Sequence, residues 1–466
     1  MRKSIDLSNI YQLRSDFTII GLTGRSGSGV STVAQQLAEG FGSGKNFTDP
    51  LKYKMDHNSY RKYRIIYNYA KENFHPYKVI HYRNILLLFI LKEGYENFIK
   101  FLRSKELDVA FTNSGMNIVG DFCQEIKSLE KIKEQFEVFS SKVNEMDYKN
   151  LNDSSKKTLC NLFFSESYIG FCNIIFDVLK LFSRTKRNYT LQIIANNLRR
   201  SGNPYNVSVE IDSENTFTIV EIINQIIKTC KKISKEKKAQ IVIDSLRNPF
   251  EIMFFRQRFS AFYTIAINCE DDRRNASIQS KYGGEEDDAR ILFKEEYNGA
   301  RDDEFYKQKV ATCIQHADIH ISYIDEVDVE KLNKERENIP NASPYFTWRM
   351  QLLKFVSLIS HPGLIPPSPE ERCMQMAYTA KYNSGCISRQ VGAAITDEAY
   401  SIKAIGWNNT PEGQVPCVLR NAEDLLNENN DVEAFTPYER KMDGDFHKAF
   451  RQYFENSITA NRSNLK

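Results

Sequence analysis

No two of the nine cysteines are separated by only two residues, and they lie scattered along a chain of 466. That spacing excludes a Cys-x-x-Cys zinc knuckle and suits reduced thiols better than a disulfide framework. Long apolar runs are missing too. Leu86 to Leu91 is the heart of a run far shorter than the ~20 residues needed to cross a bilayer. The opening Met1-Arg-Lys-Ser-Ile-Asp6 is not followed by a signal-peptide core. Excess charge of one sign is also lacking: 63 Lys and Arg against 60 Asp and Glu leave a formal +3. Such a balance makes no general case for nucleic acid or membrane as partner. The expectation is a cytoplasmic protein with no membrane partner. Its length allows two or three domains with a sizeable core.

The most informative stretch runs from Phe17 to Thr32. Phe17 to Leu22 reads as a buried strand. Val33, Ala34, Leu37, Ala38 and Phe41 recur at helical spacing. Between them lies Gly24-Arg-Ser-Gly-Ser-Gly29, so strand, glycine turn and helix stand in the order of a phosphate-binding loop. Gly24, Ser26, Gly27, Ser28 and Gly29 would turn backbone N–H groups onto phosphates at the helix N-terminus. Ser31 and Thr32 would offer the hydroxyl that such loops place on magnesium. The pattern asks for lysine after the last glycine, and Val30 stands there. Without that cation the loop is expected to cradle a nucleoside triphosphate with Mg2+ while showing weak or no kinase activity. Arg25 and Lys45 are the candidate substitutes.

Asn46 to Asp49 reads as a short second strand ending at the Asp49-Pro50 turn. From about 54 to 200 the chain is dense in Lys, Tyr, Phe, Leu and Ile, and reads as a large helical insertion. A solvated helical face over an aromatic core explains that composition more cheaply than RNA binding. His57, His75 and His81 show no partner at metal-ligand spacing. Tyr189 to Arg200 reads as a helix closed by Gly202 and Pro204. Arg199 and Arg200 would either complement its dipole or contact a phosphate. Ile219 to Ile227 stripes one face of a helix. Gln240 to Ile243 is an apolar strand ending at Asp244, where a carboxylate would organise magnesium or its water, or else cap the next helix. Phe262 to Ile267 is a further strand. Arg273 and Arg274 beyond it read as a phosphate lid or a solvated charge cluster. Ala317 to Ile321 alternates as the last strand, with His320 outward.

These residues resemble deoxynucleoside monophosphate kinases through Ile20 to Thr32, Asp49-Pro-Leu-Lys52, Asp244-x-x-Arg-Asn-Pro-x-Glu251 and Ala317-Asp-Ile319. The resemblance implies an α/β fold: a P-loop NTPase domain, kinase-like with a parallel sheet, over residues 1–335. It implies that Asp244 and Arg247 face substrate or magnesium and that Arg273 belongs to a lid.

Prolines 340, 344, 362, 366, 367 and 369 mark a connector over 336–368. Ser368-Pro-Glu-Glu371 then opens a helix with a capping box. The next stretch, Cys373 to Ile395, carries Arg389-Gln-Val-Gly-Ala393, and Ser401 to Gly406 returns as a second strand. Gly406-Trp-Asn-Asn-Thr410-Pro-Glu-Gly413 follows. This resembles the opening helix and hairpin of deoxycytidylate deaminases. The resemblance implies a partial cytidine-deaminase-like α/β domain over 369–466, with Asn408 on the sugar, Arg389 near the phosphates and Thr410 as a further contact to the deoxycytidine nucleotide. Glu423 to Glu439 is a charged segment, and Asp445 to Phe454 reads as an amphipathic helix.

Zinc deaminases need His-x-Glu and Pro-Cys-x-x-Cys, which bind the metal and move the proton. Asn421-Ala-Glu423 has only the outline of the first. Pro416-Cys417 lacks the second cysteine. Cys373, Cys386, Cys417 and His447 do not stand at ligand spacing, so no metal site and no catalytic residue is assigned.

As a whole the chain resembles the bacterial anti-phage dCTP/dCMP deaminases, which convert deoxycytidine nucleotides to deoxyuridine forms. In that family the zinc motifs lie beyond an insertion, where this sequence has ended. The expectation is therefore a chain deaminase-inactive by itself, through truncation or because a second polypeptide completes it. Further partners implied by the resemblance are ATP or dNTP, deoxycytidine nucleotides and a regulatory small RNA. The alternatives are a nucleotide-sensing regulator whose deaminase-like part only binds, and a deoxynucleoside monophosphate kinase.

Overall fold

The computed structural model describes residues 16–42, 47–53, 57–105, 107, 109–110, 122–146, 152–181, 183–206, 212–234, 238–298, 304–336, 338–339, 343–387, 389–421, 424–425, 431–441, 444, 448 and 452. The chain divides into two compact units, Met1–Ile365 and Pro366–Lys466.

The first unit is α/β and is built on five parallel strands: β1 (Phe17–Gly24), β2 (Lys78–Ile80), β3 (Ala239–Ile243), β4 (Phe262–Asn268) and β5 (Ile319–Ser322), in the order β2-β3-β1-β4-β5. Successive side chains of a strand point to opposite faces. Ile19 of β1 and Ile241 and Ile243 of β3 accordingly enter one core, whereas Ile20, Leu22 and Val242 enter another. Both faces are covered by helices, which is why the strands read as unbroken apolar runs. The first core takes in most of the inserted helices. The second takes in the helix after β1 (Val30–Glu39), the helix Asn58–Asn73 and the helix Trp348–Ser360.

Three expectations are corrected here. Phe47 to Asp49, the described part of the expected second strand, is not a strand; Asp49 instead caps a short 3-10 turn, accepting a hydrogen bond from Leu51 N at 2.9 Å. The second strand of the sheet is Lys78–Ile80, inside the segment expected to be helical. The residues expected to connect the domains include Trp348–Ser360, a helix whose Trp348, Leu352 and Leu353 belong to the core of the first unit. The chain therefore leaves that unit only after Ile365.

The run Leu86 to Leu91 lies in the helix Tyr82–Glu93, which is buried nearly all round, the mark of a core helix. Among the described residues no single helix is long and apolar enough to cross a membrane.

The second unit opens with the helix Pro369–Ala380, whose capping box between Ser368 and Glu371 is formed as expected. The strands β6 (Gly392–Thr396) and β7 (Ile402–Trp407) pair as an antiparallel hairpin. Gly392 allows the hairpin to touch the helix, since a Cβ there would lie 2.0 Å from the Ala377 carbonyl oxygen. The helix expected over Asp445–Phe454 lies almost wholly outside the described residues.

Candidate functional site: a cationic cavity at the carboxyl edge of the parallel sheet

Strand order reverses at β1, whose neighbours β3 and β4 lead away on either side. In open parallel sheets the crevice beyond the carboxyl ends at such a reversal is where ligands bind. The loop Arg25–Gly29 leaves β1 at this point. Gly27 and Gly29 take φ of 88° and 95°, a region closed to most side chains. The helix that follows has no side-chain N-cap and no acidic residue in its first turn. Its leading N–H groups and the positive end of its dipole are thus available to an anion. The Ser28 hydroxyl is buried and has no hydrogen-bond partner among the described residues.

A cavity of about 500 Å3 opens over this loop. Gly24, Ser26, Gly27, Gly29, Ser31 and Thr32 line it, as does Val30 at the position where the pattern asks for lysine. Ser28 sits beneath the surface. Arg25, Arg83, Arg184, Arg187, Arg247 and Lys281 face the same space, with Asp244 and Glu296 as its carboxylates. Among the described residues no carboxylate pairs with Arg184, Arg187 or Lys281. Arg187 spends Nε and Nη2 on the Asn188 amide oxygen at 3.0 and 2.6 Å, and burial holds its guanidinium below its ordinary value. The charge excess, invisible in a net +3, is local.

The expected polar residues divide. Asp244 lies directly beyond β3 and is nearly buried, but its oxygens are committed. Oδ1 accepts from the Tyr82 backbone N–H at 2.8 Å and Oδ2 meets His81 Nδ1 at 2.6 Å. Asp244 therefore positions His81 and the start of the helix Tyr82–Glu93, and no ion is assigned to it. Next to it Ser245 takes φ of 58°, a conformation costly for a non-glycine residue and frequent near functional sites. Arg247 is in the cavity and is paired with Glu296. Ser26 Oγ donates to the same carboxylate at 2.7 Å and accepts from Arg247 Nη2 at 3.2 Å. Arg273 is turned elsewhere: it pairs with Asp325 and, at 2.6 Å, with Asp328, and its guanidinium lies over the Tyr323 ring. Arg274 pairs with Asp271 at 3.1 Å. Arg25 also reaches Asp271, at 3.0 Å; Lys45 lies outside the described residues.

Arg199 serves neither role considered for it. With Glu251 it forms an ion pair of 2.8 Å in which each side chain is 1% exposed. The Tyr82 hydroxyl donates to Glu251 at 2.6 Å and accepts from Arg199 Nη2 at 2.9 Å. This triad braces the helix Tyr82–Glu93 beneath the cavity.

In the second unit Asn408 is spent on the chain itself. Its Oδ1 accepts from Val391 N at 2.7 Å and from Ser384 Oγ at 2.9 Å, and its Nδ2 donates to the Arg389 carbonyl at 2.8 Å. Asn408 thus brings Arg389 to the end of β7, with the Arg389 side chain exposed. Thr410 Oγ1 reaches the Gln414 carbonyl at 3.4 Å. Zinc, which the resemblance implies, finds no matching donor set among the described residues. Cys373 donates to the Tyr400 carbonyl and Cys417 accepts from Arg420 Nη2 at 3.2 Å. Among the described residues no three His, Cys, Asp or Glu side chains converge; Glu423 and His447 lie outside them.

The residue that sequence reasoning passed over is His81. Its partner Asp244 is 163 positions away, so spacing along the chain carried no signal of the pair. Only the pairing of β2 with β3 brings them together.

Comparison of the chain with protein-family models, curated proteins and solved structures returns no match.

Proposed function

We propose that the first unit is a P-loop nucleotide-binding domain, kinase-like in its strand order, that holds the phosphates of a nucleoside triphosphate with Mg2+ on Gly24–Thr32. The observation that supports it most is the uncapped helix behind Gly27 and Gly29, aimed into a cavity dense in arginine. Ser31 is the hydroxyl assigned to magnesium. The second unit is read, on the motifs of its helix and hairpin, as the front of a deoxycytidylate-deaminase-like domain. The whole is proposed as a member of the anti-phage deoxycytidine-nucleotide deaminases. A second chain is the proposed source of the metal ligands, and a small RNA a proposed regulator. A sensor that binds nucleotide without chemistry in the second unit is the competing reading, favoured by the separate engagements of Cys373 and Cys417.

Thermal unfolding of the full chain with ATP, dCTP or dCMP and magnesium tests the binding. Ligand at a hundred times its Kd adds about 2.7 kcal/mol of stability, a readily measured rise in midpoint. Assay of the same mixtures for uracil nucleotides tests the second unit. Rapid formation of dUTP or dUMP by the chain alone would overturn the view that its metal ligands come from elsewhere.

A further inference from the structure

His81 and Asp244 follow directly on β2 and β3, of which β3 is the neighbour of β1, the strand that leads into the glycine loop. The Asp244 amide donates to the Ile80 carbonyl at 3.2 Å and the Leu246 amide to the Leu22 carbonyl at 2.8 Å. The three strand ends are therefore stitched together, and His81, Asp244 and the loop line one cavity. Asp244 is fixed by the Tyr82 N–H before it meets His81 Nδ1. A carboxylate on Nδ1 selects the tautomer protonated there and leaves Nε2 as an acceptor. No described group is hydrogen-bonded to Nε2. The His81 side chain is 37% exposed, and although His81 stands at the N-cap of its helix, its side chain does not cap it. An imidazole spared structural duty, oriented by a buried carboxylate and facing a phosphate cradle, has the build of a general base.

We infer that His81 is the proton acceptor in hydrolysis of a phosphoanhydride bond of the nucleotide on the loop, with Asp244 as its positioning residue. This rests on the nucleotide-binding reading above. A water oxygen forms a bond to the terminal phosphorus as the bond from that phosphorus to the bridging oxygen breaks. The electron pair leaves on the nucleoside diphosphate. The proton of the attacking water passes to His81 Nε2 and then to solvent, so the products are a nucleoside diphosphate and inorganic phosphate. Arg184 and Lys281, unpaired with any described carboxylate, provide the positive charge that Val30 does not.

The test is phosphate release from ATP and from dCTP by the full chain with magnesium, beside binding of the same nucleotides measured by titration. His81→Asn keeps an N–H near the Nδ1 position for Asp244 but has nothing at Nε2, so the fold is expected to survive, as circular dichroism would read. Its kcat is expected to fall about a hundredfold, with affinity changed less than about twofold. Added imidazole is expected to restore part of the rate to His81→Ala, which a purely structural role would not allow. Asp244→Asn is expected to lower kcat while leaving nucleotide bound. Nucleotide binding with no phosphate release, or a His81→Asn variant as fast as the parent, overturns the inference and leaves the binding reading standing. Absence of nucleotide binding overturns both.

Discussion

A side chain at Gly29 would run into the ring of Tyr323: an ideal Cβ there lies 2.4 Å from Cε2. The ring cannot easily yield, because it is stacked on Trp348 with centroids 5.2 Å apart. Residue 29 is thus constrained twice, by φ of 95° and by its neighbour. Gly29→Ala is expected to leave the circular dichroism of the chain unchanged and to weaken nucleotide binding tenfold or more, about 1.4 kcal/mol. Titration of parent and variant with ATP and dCTP checks it.

On the proposed nucleotide-binding reading, Val30 is the residue that separates this loop from the full phosphate-binding pattern. Val30 lines the cavity, so a lysine there would bring an ammonium group to that space, where the proposal puts the phosphates. Val30→Lys is expected to tighten triphosphate binding by about tenfold, the worth of one charge-assisted hydrogen bond. Titration against ATP with magnesium measures it, with the monophosphate as the comparison expected to change less.

Glu296 competes with any phosphate for Arg247 and Ser26. Its side chain is 7% exposed and holds both. Glu296→Gln keeps the size and removes the negative charge. Nucleotide affinity is expected to rise severalfold, and weaker binding by the variant would show the carboxylate to be a support of the loop.

The ion pair of Arg199 and Glu251 is buried at the floor of the cavity, which Arg199 helps to line. Removing one partner of a buried pair strands the other, at a cost of about 3–5 kcal/mol. Arg199→Ala is expected to lower the free energy of unfolding, measured by denaturant titration, by that order, and Glu251→Ala similarly. Phosphate binding by variants that remain folded is expected to be close to that of the parent.

What was legible in the sequence was whatever is local. The strand and glycine loop at 17–29 carry their own pattern, as do the strand before Asp244 and the capping box at Ser368. Lys78–Ile80 was not legible: three residues show no periodicity, and they are a strand only because they pair with Ile241–Ile243. The helix Trp348–Ser360 was hidden by prolines on both sides that suggested a connector. Among the site residues, the loop and Arg247 could be placed from sequence. The direction of Arg273 could not, because Asp325 and Asp328 reach it from the other side of β5 in the chain. Nor could the bond from Asp244 to His81, which depends on strand order alone.

The measurement closest to the central claim is equilibrium dialysis of radiolabelled ATP and dCTP against the full chain, with magnesium and with chelator, beside Gly29→Ala. Saturable binding of one nucleotide per chain is expected, weaker without magnesium and weaker still in the variant. No saturable binding to the parent chain, or equal binding to a folded Gly29→Ala, would contradict it.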